Sequence, residues 1–297
     1  DRTNWLEVEI WPSKTNKAKL NGSDCKKTKD ILGILQTITF SPEDLILVKG
    51  DPGQRRYFLD ELLVQKSSSY AGIKTDYERV LKQRNALLKS AGPARRNNLD
   101  SVLATLDIWN EQLINFGSQI ILARHQIINE LLPYVSKSYA ELAPSSKALN
   151  ITYLPNVSAE NMTLSDLVTA MKQKLQERQQ DELDRGLTLV GPHRDDLEIM
   201  IGELPAKGYA SHGESWSVAL ALRLASFDLL KATSPARDPV LILDDVFAEL
   251  DVARRNQLIL RVKNVEQVLI TAAVAEDVPK ELVGNKLYVN NGKVEKI

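Results

Sequence analysis

The chain has 297 residues, 38 Lys and Arg against 39 Asp and Glu, a net charge of −1 and one cysteine. That length accommodates about two domains, and the near-neutral charge excludes wholesale wrapping by a polyanion, so any nucleic-acid contact must use a local basic patch. No apolar run approaches the roughly 18 residues of a membrane span, no secretory h-region follows Asp1, and Cys25 lacks a partner for a disulfide or a metal site, which together predict a cytoplasmic protein with no membrane contact.

The chain opens on the alternation Trp5-Leu6-Glu7-Val8-Glu9-Ile10-Trp11, expected of an antiparallel strand already under way, as in a piece of a longer protein. A turn at Leu20-Asn21-Gly22-Ser23 follows, then Ile31 to Leu35 and a strand at Thr37-Ile38-Thr39-Phe40. After Gly50-Asp51-Pro52-Gly53 the apolar period becomes helical from Arg55 to about Leu88, until Gly92-Pro93 breaks it. A second helical stripe runs from Leu99 to Leu132, with Pro133 expected to bend or interrupt its end. Two or three antiparallel helices are thus expected to form a compact lobe over residues 53–143. Within it Arg95 and Arg96, with Lys82, Arg84 and Arg124, are candidate DNA contacts, their bland alternative being a solvated helix face.

Strand signals return at Leu149 to Leu154, a helix is expected from Leu164 to about Gln180, and Gly186 to Pro192 reads as a strand and turn. Asp196 to Ile201 is a strand, and an amphipathic helix spans about Glu214 to Lys231. Val240-Leu241-Ile242-Leu243 then reads as a strand buried on both faces, as does Val268-Leu269-Ile270-Thr271. The tail holds an Asn-Gly hairpin signal at Asn290-Asn291-Gly292.

Two stretches carry candidate chemistry. The strand at Val240 ends in Asp244 and Asp245, and two adjacent carboxylates in a buried setting would call for a cation; the alternative is a pair of acids at a solvated strand end. Upstream, Ser211-His212-Gly213-Glu214 opens a helix, a geometry able to aim free N–H groups and a hydroxyl at a phosphate, or to serve as an ordinary cap.

In order and spacing these stretches resemble the RecF family of ABC-type ATPases, relatives of the SMC heads. Ser211-His212-Gly213-Glu214 looks like the signature motif, Val240 to Asp245 like Walker B, Glu249-Leu250-Asp251 like the D-loop, and Thr271 sits where the switch residue is expected. Phe40-Ser41-Pro42-Glu43-Asp44-Leu45 with Val48-Lys49-Gly50, Arg55-Arg56-Tyr57-Phe58-Leu59-Asp60, and Gly191-Pro192-His193-Arg194-Asp195-Asp196-Leu197 are similar to RecF in particular. The departure is that no G-x-x-x-x-G-K-[ST] occurs, so the phosphate loop, N-terminal in that family, is missing.

The resemblance implies an α/β ABC-type head divided as residues 1–52 and 144–297 around the helical lobe of 53–143. It implies ATP and Mg²⁺ as cofactors, with Asp244 on the metal, Asp245 orienting or deprotonating the attacking water, and Ser211, His212, Gly213, Glu214, Asp251 and Thr271 at the nucleotide. It further implies an ATP-dependent homodimer with weak ATPase activity, duplex DNA and single-strand/double-strand junctions as ligands, a RecR-type mediator as partner, and RecA loading as outcome; the chain alone, without its phosphate loop, is expected to be inactive. His193 is either a phosphate or DNA ligand or a structural histidine, and Arg194 faces either a phosphate or Asp195. Competing expectations are an SMC-type head, disfavoured by an insertion too short and heptad-poor for a coiled coil, and a metal-dependent nuclease built on Asp244, Asp245, Asp195 and Asp196.

Overall fold

The computed structural model describes residues 3–94, 99–234 and 238–296. In chain order the elements are β1 (Leu6–Glu9), β2 (Lys17–Leu20), β3 (Ser23–Asp24), β4 (Thr37–Phe40), α1 (Ile46–Lys49), α2 (Pro52–Lys66), α3 (Ser68–Ala94), α4 (Leu99–Leu142), β5 (Leu149–Leu154) and α5 (Leu164–Arg185). There follow β6 (Asp196–Ile201), β7 (Leu204–Pro205), the single turn α6 (Ala206–Tyr209), α7 (His212–Thr233), β8 (Val240–Asp244), α8 (Val252–Val262), β9 (Val268–Thr271), β10 (Leu287–Asn290) and β11 (Lys293–Lys296).

A parallel sheet in the order β4-β8-β9 carries the site. Its register sets Thr37 beside Val240 and Asp244 beside Thr271, so the acids and the threonine leave the sheet at one end. Helix α7 packs against β4 on one side and α4 on the other. Packed against both, it is buried from Ser215 through Leu222 without a break, so the expected amphipathic helix is enclosed on every side over its first half, buried serines included. Trp216 meets Phe40 edge-on at 5.6 Å, and both are buried.

A second sheet, β5-β6-β7, is antiparallel. Alternation in β5 turns Leu149, Ile151 and Tyr153 inward, against Leu197, Ile199 and Ile201 of β6. The Asn-Gly turns expected at both ends of the chain form: Asn21 and Gly22, and Asn291 and Gly292, all take positive φ, as a two-residue hairpin of this hand requires.

Helices α2, α3 and α4 pack together, and α5 joins them against α3 and α4. The sequence pattern merges α2 and α3, which Ser67 separates with an extended backbone. Pro133 does not interrupt α4, which continues to Leu142; the surrounding contacts with α7 and β5 outweigh the one missing N–H.

Two further expectations fail for stated reasons. Leu187 to Gly191 is a loop and not a strand. Its amide groups are claimed by side chains: Asn85 Oδ1 accepts from Thr188 N at 2.7 Å, Glu182 Oε1 from Leu189 N at 2.7 Å and Asn156 Oδ1 from Gly191 N at 3.0 Å, which leaves no ladder to join. Strand β9 is not buried on both faces, because it sits at the sheet edge among the described residues and Leu269 is 50 % exposed. No helix among the described residues is long and apolar enough to cross a membrane.

Candidate functional site

The acid pair stands at the end of β8 where the apolar run stops. Leu241 and Leu243 are fully buried, yet Asp244 is exposed and Asp245 half-buried, which corrects the expectation of acids driven into a low-dielectric interior. Burial therefore supplies no demand for a cation. What the structure does supply is a convergence of oxygen atoms: Thr271 Oγ1 donates to Asp244 Oδ1, and the Asp245 N–H donates to both Thr271 O and Thr271 Oγ1 at 3.2 Å. Asp245 adopts φ 54°, a left-handed conformation that Asp tolerates better than most residues. Its Oδ1 lies 3.5 Å from the Ala273 N–H, so the residue ties the end of β8 to the segment after β9.

Ser211 caps α7. Its hydroxyl accepts from the Glu214 N–H at 3.2 Å while Glu214 Oε2 accepts from the Ser211 N–H at 2.9 Å, a reciprocal capping box that satisfies two backbone donors at once. Those hydrogen bonds hold the Glu214 carboxyl below the usual carboxylate range. Ser211 and His212 remain exposed. His212 meets Trp216 edge-on, and the Trp216 indole N–H donates to His212 Nε2 at 3.0 Å.

Arg254, which carries no motif in the sequence reading, joins this helix start to the segment read as the D-loop. Asp251 caps α8 by accepting from the Arg254 N–H at 2.8 Å and also pairs with the Arg254 guanidinium. Arg254 Nε donates to Ser217 Oγ at 2.6 Å, and a Cβ on Gly213 would stand 3.1 Å from the guanidinium, so glycine there admits the close approach. The signal available in the sequence was its i+3 spacing from Asp251. Thus Ser211, Gly213, Glu214 and Asp251 belong to one cluster and Asp244, Asp245 and Thr271 to another, with no hydrogen bond or ion pair joining the two among the described residues.

The remaining motifs have a different destiny. Arg55 forms a two-pronged pair with Asp196 at 2.8 and 3.0 Å. Arg124 is clamped between Asp60 and Asp195, at 2.9 and 3.0 Å. Asp195 also accepts from Tyr153 OH and from the Asn156 N–H at 2.7 Å. Burial, opposed by Arg124, moves the Asp195 carboxyl above the usual range. Arg223 holds Asp44 at 2.7 Å and Glu61 at 2.9 Å. The nuclease expectation fails here, since Asp195 and Asp196 are spent on Arg124 and Arg55. The DNA-contact candidates Arg84 and Arg124 are likewise corrected: they are 1 % and 4 % exposed, and Arg84 is locked to Glu182 at 2.5 Å.

His193 resolves as structural. Its Nε2 is 3.1 Å from Thr188 O and its Nδ1 2.7 Å from Tyr77 OH, and burial lowers its pKa to about 4. Arg194 is exposed and donates to Thr188 O at 2.9 Å, not to Asp195. Arg95 and Arg96 lie outside the described residues. Among the described residues no group of three or more His, Cys, Asp and Glu side chains could by itself hold a metal ion.

No model of a protein family matches the chain. It is 49 % identical over 298 residues to the DNA replication and repair protein RecF of Streptomyces avermitilis, across 100 % of this chain and 79 % of that protein. The chain belongs to the RecF family. The RecF of Frankia alni is also 49 % identical, over 99 % of this chain and 79 % of its own. A solved structure of the recombination mediator protein RecF-ATPrS in the RecFOR pathway superimposes with a TM-score of 0.88 at 27 % identity, covering 99 % of this chain and 76 % of that one. A second, of RecF-ATP in the same pathway, gives 0.86, also at 27 % identity. The fold is therefore the RecF-type ATPase head, and the RecF reading stands above the SMC-type and nuclease alternatives.

Proposed function

We propose that this chain is the nucleotide-responding part of a RecF-type recombination mediator, which dimerises on ATP and acts at single-strand/double-strand DNA junctions with a RecR-type partner to load RecA. On this reading the head comprises residues 1–52 and 144–297, and residues 53–143 form a lateral helical lobe. The carrying observation is the division of the site into two separate clusters on a fold shared with RecF-ATP. On this reading the signature helix start of one subunit, which has no bond to its own Walker B corner among the described residues, closes on the nucleotide at the Walker B corner of another.

Asp244, with the Thr271 hydroxyl beside it, offers the hard oxygen donors that Mg²⁺ prefers, and such an ion normally keeps waters and phosphate oxygens as its other ligands. When bound, that ion would neutralise charge on the phosphates. Asp245, half-buried, tied to Thr271 through its own N–H and to Ala273 through the Ala273 N–H, orients a water for attack and receives its proton. Thr271, bonded to both acids, reports nucleotide occupancy to the segment after β9. Ser211, His212, Gly213, Glu214 and Asp251 present the closing face to the nucleotide of the opposite subunit, and Arg95, Arg96 and Arg194 are the candidate DNA-binding cations.

The test is Ser211→Arg. Placed in a chain that carries the family's phosphate loop, it should leave nucleotide binding within a subunit near normal and abolish association driven by a non-hydrolysable ATP analogue in sedimentation, since bulk and like charge would oppose closure. Unchanged association would return Ser211 to the role of a helix cap alone.

A further inference from the structure

The His212 ring sits between two donors. An indole N–H can only donate, so Trp216 Nε1 at 3.0 Å fixes His212 Nε2 as the acceptor. A neutral imidazole has one acceptor nitrogen, and the proton therefore resides on Nδ1. Yet 3.5 Å from Nδ1 stands the ammonium of Lys49, which carries three donors and no lone pair. Lys49 comes from the end of α1, far away in sequence, and forms no ion pair among the described residues. The carbonyl of the adjacent Gly50 is occupied by Arg55 at 3.0 Å and Lys207 at 3.0 Å and cannot serve as the acceptor. Two exposed donors thus stand 3.5 Å apart with no protein acceptor shared between them among the described residues.

We propose that Lys49 and the His212 Nδ1–H together hold a phosphate oxygen of the nucleotide bound by a second copy of the chain, making Lys49 a binding residue of the split site. The identity of that phosphate rests on the function proposed above; the two-donor anion site rests on the Lys49–His212–Trp216 geometry. An ammonium and an imidazole N–H standing 3.5 Å apart suit a phosphate oxygen, which accepts from several donors at once. A carboxylate would satisfy the same pair, but a nucleotide brings the denser charge to the face on which Ser211 lies.

The two parts can be tested apart. The first experiment titrates the chain with inorganic tripolyphosphate and follows the ¹⁵N resonances of the His212 ring. Nδ1 is expected to carry the proton in the free protein, and its resonance to shift saturably. Loss of one charge-assisted hydrogen bond in Lys49→Ala should raise the midpoint roughly tenfold, whereas Lys49→Arg should retain it. A proton on Nε2, an unresponsive ring, or an unchanged midpoint in Lys49→Ala would overturn the site. Placing the variants in a chain that carries the family's phosphate loop, adding the ATP analogue and measuring sedimentation then assigns the ligand. Association weakened about tenfold by Lys49→Ala supports the trans contact. Association lost in Ser211→Arg and intact in Lys49→Ala would overturn the role of Lys49 while leaving the split site in place; association intact in both would overturn the split site as well.

Discussion

The interior of the molecule and the face at the end of its parallel sheet are built from the same side chains under opposite conditions. In the interior, Arg124 joins Asp60 to Asp195, Arg55 joins α2 to β6, and Arg84 joins α3 to α5. Each of these pairs is reached through long-range contacts between segments that no local rule would join. On the face, Asp244 and Ser211 are exposed, and Asp251 is engaged by a neighbour three residues away. A guanidinium enclosed with its carboxylates can do no chemistry with a ligand without leaving an uncompensated charge behind. An exposed acid beside a hydroxyl can change partners at little cost. The difference teaches that a charged motif gains function through access, and that the same motif when enclosed holds elements together.

The strongest way to break this comparison is Arg124→Met. It strands Asp60 and Asp195 together in the interior, and urea unfolding should show a loss of about 3–5 kcal/mol. A loss below about 1 kcal/mol, the range of exposed pairs, would erase the distinction between the two regions. On the face the large effect should be kinetic. In an ATP-hydrolysing dimer, Asp245→Asn should retain Mg-ATP binding and slow hydrolysis about 10²-fold or more, because the amide keeps the shape and cannot take a proton. Equal loss of nucleotide binding in Asp245→Asn and Asp244→Asn would show that the two acids share one role.

His193 sharpens the comparison through pH. Burial lowers its folded pKa from 6.5 to about 4, so the unfolded chain binds a proton that the folded chain refuses. Its stabilising contribution is full above about pH 6.5 and is lost as pH falls toward 4. Unfolding free energies at pH 7.5 and pH 5 should differ by about 2 kcal/mol from this group, and His193→Gln should flatten the slope. An unchanged slope in the variant would place the titration elsewhere. The smallest effect belongs to the cap itself: Ser211→Ala should cost about 1 kcal/mol in thermal unfolding, since it removes one side-chain acceptor from an exposed helix end. A cost several times larger would mean that Ser211 is doing more than capping in the unassociated protein.

Much of the fold was legible from local pattern. The strands at Leu149–Leu154 and Asp196–Ile201, the parallel strand ending at Asp244, and the Asn-Gly turns all form where alternation, apolar runs and turn chemistry place them. These signals are strictly local, and each is decided by which residues can share a pleat or take positive φ. The ordered series from Ser211 to Thr271 likewise carried the family assignment, because motif order survives in the chain whatever its folding. Tertiary structure alone decided what those residues touch. It buried the first half of the helix after Ser211 on every side by packing it against α4 and β4, and it left β9 half-exposed at an edge. It converted Leu187 to Gly191 from an expected strand into a loop pinned by Asn85, Asn156 and Glu182. It also sent Arg84 and Arg124 inward, kept Asp244 outside, and brought Lys49 to His212 across more than half the sequence. Composition and spacing give a side chain its charge and its reach; only the assembled neighbours fix whether water, a counter-charge or an open donor lies beside it.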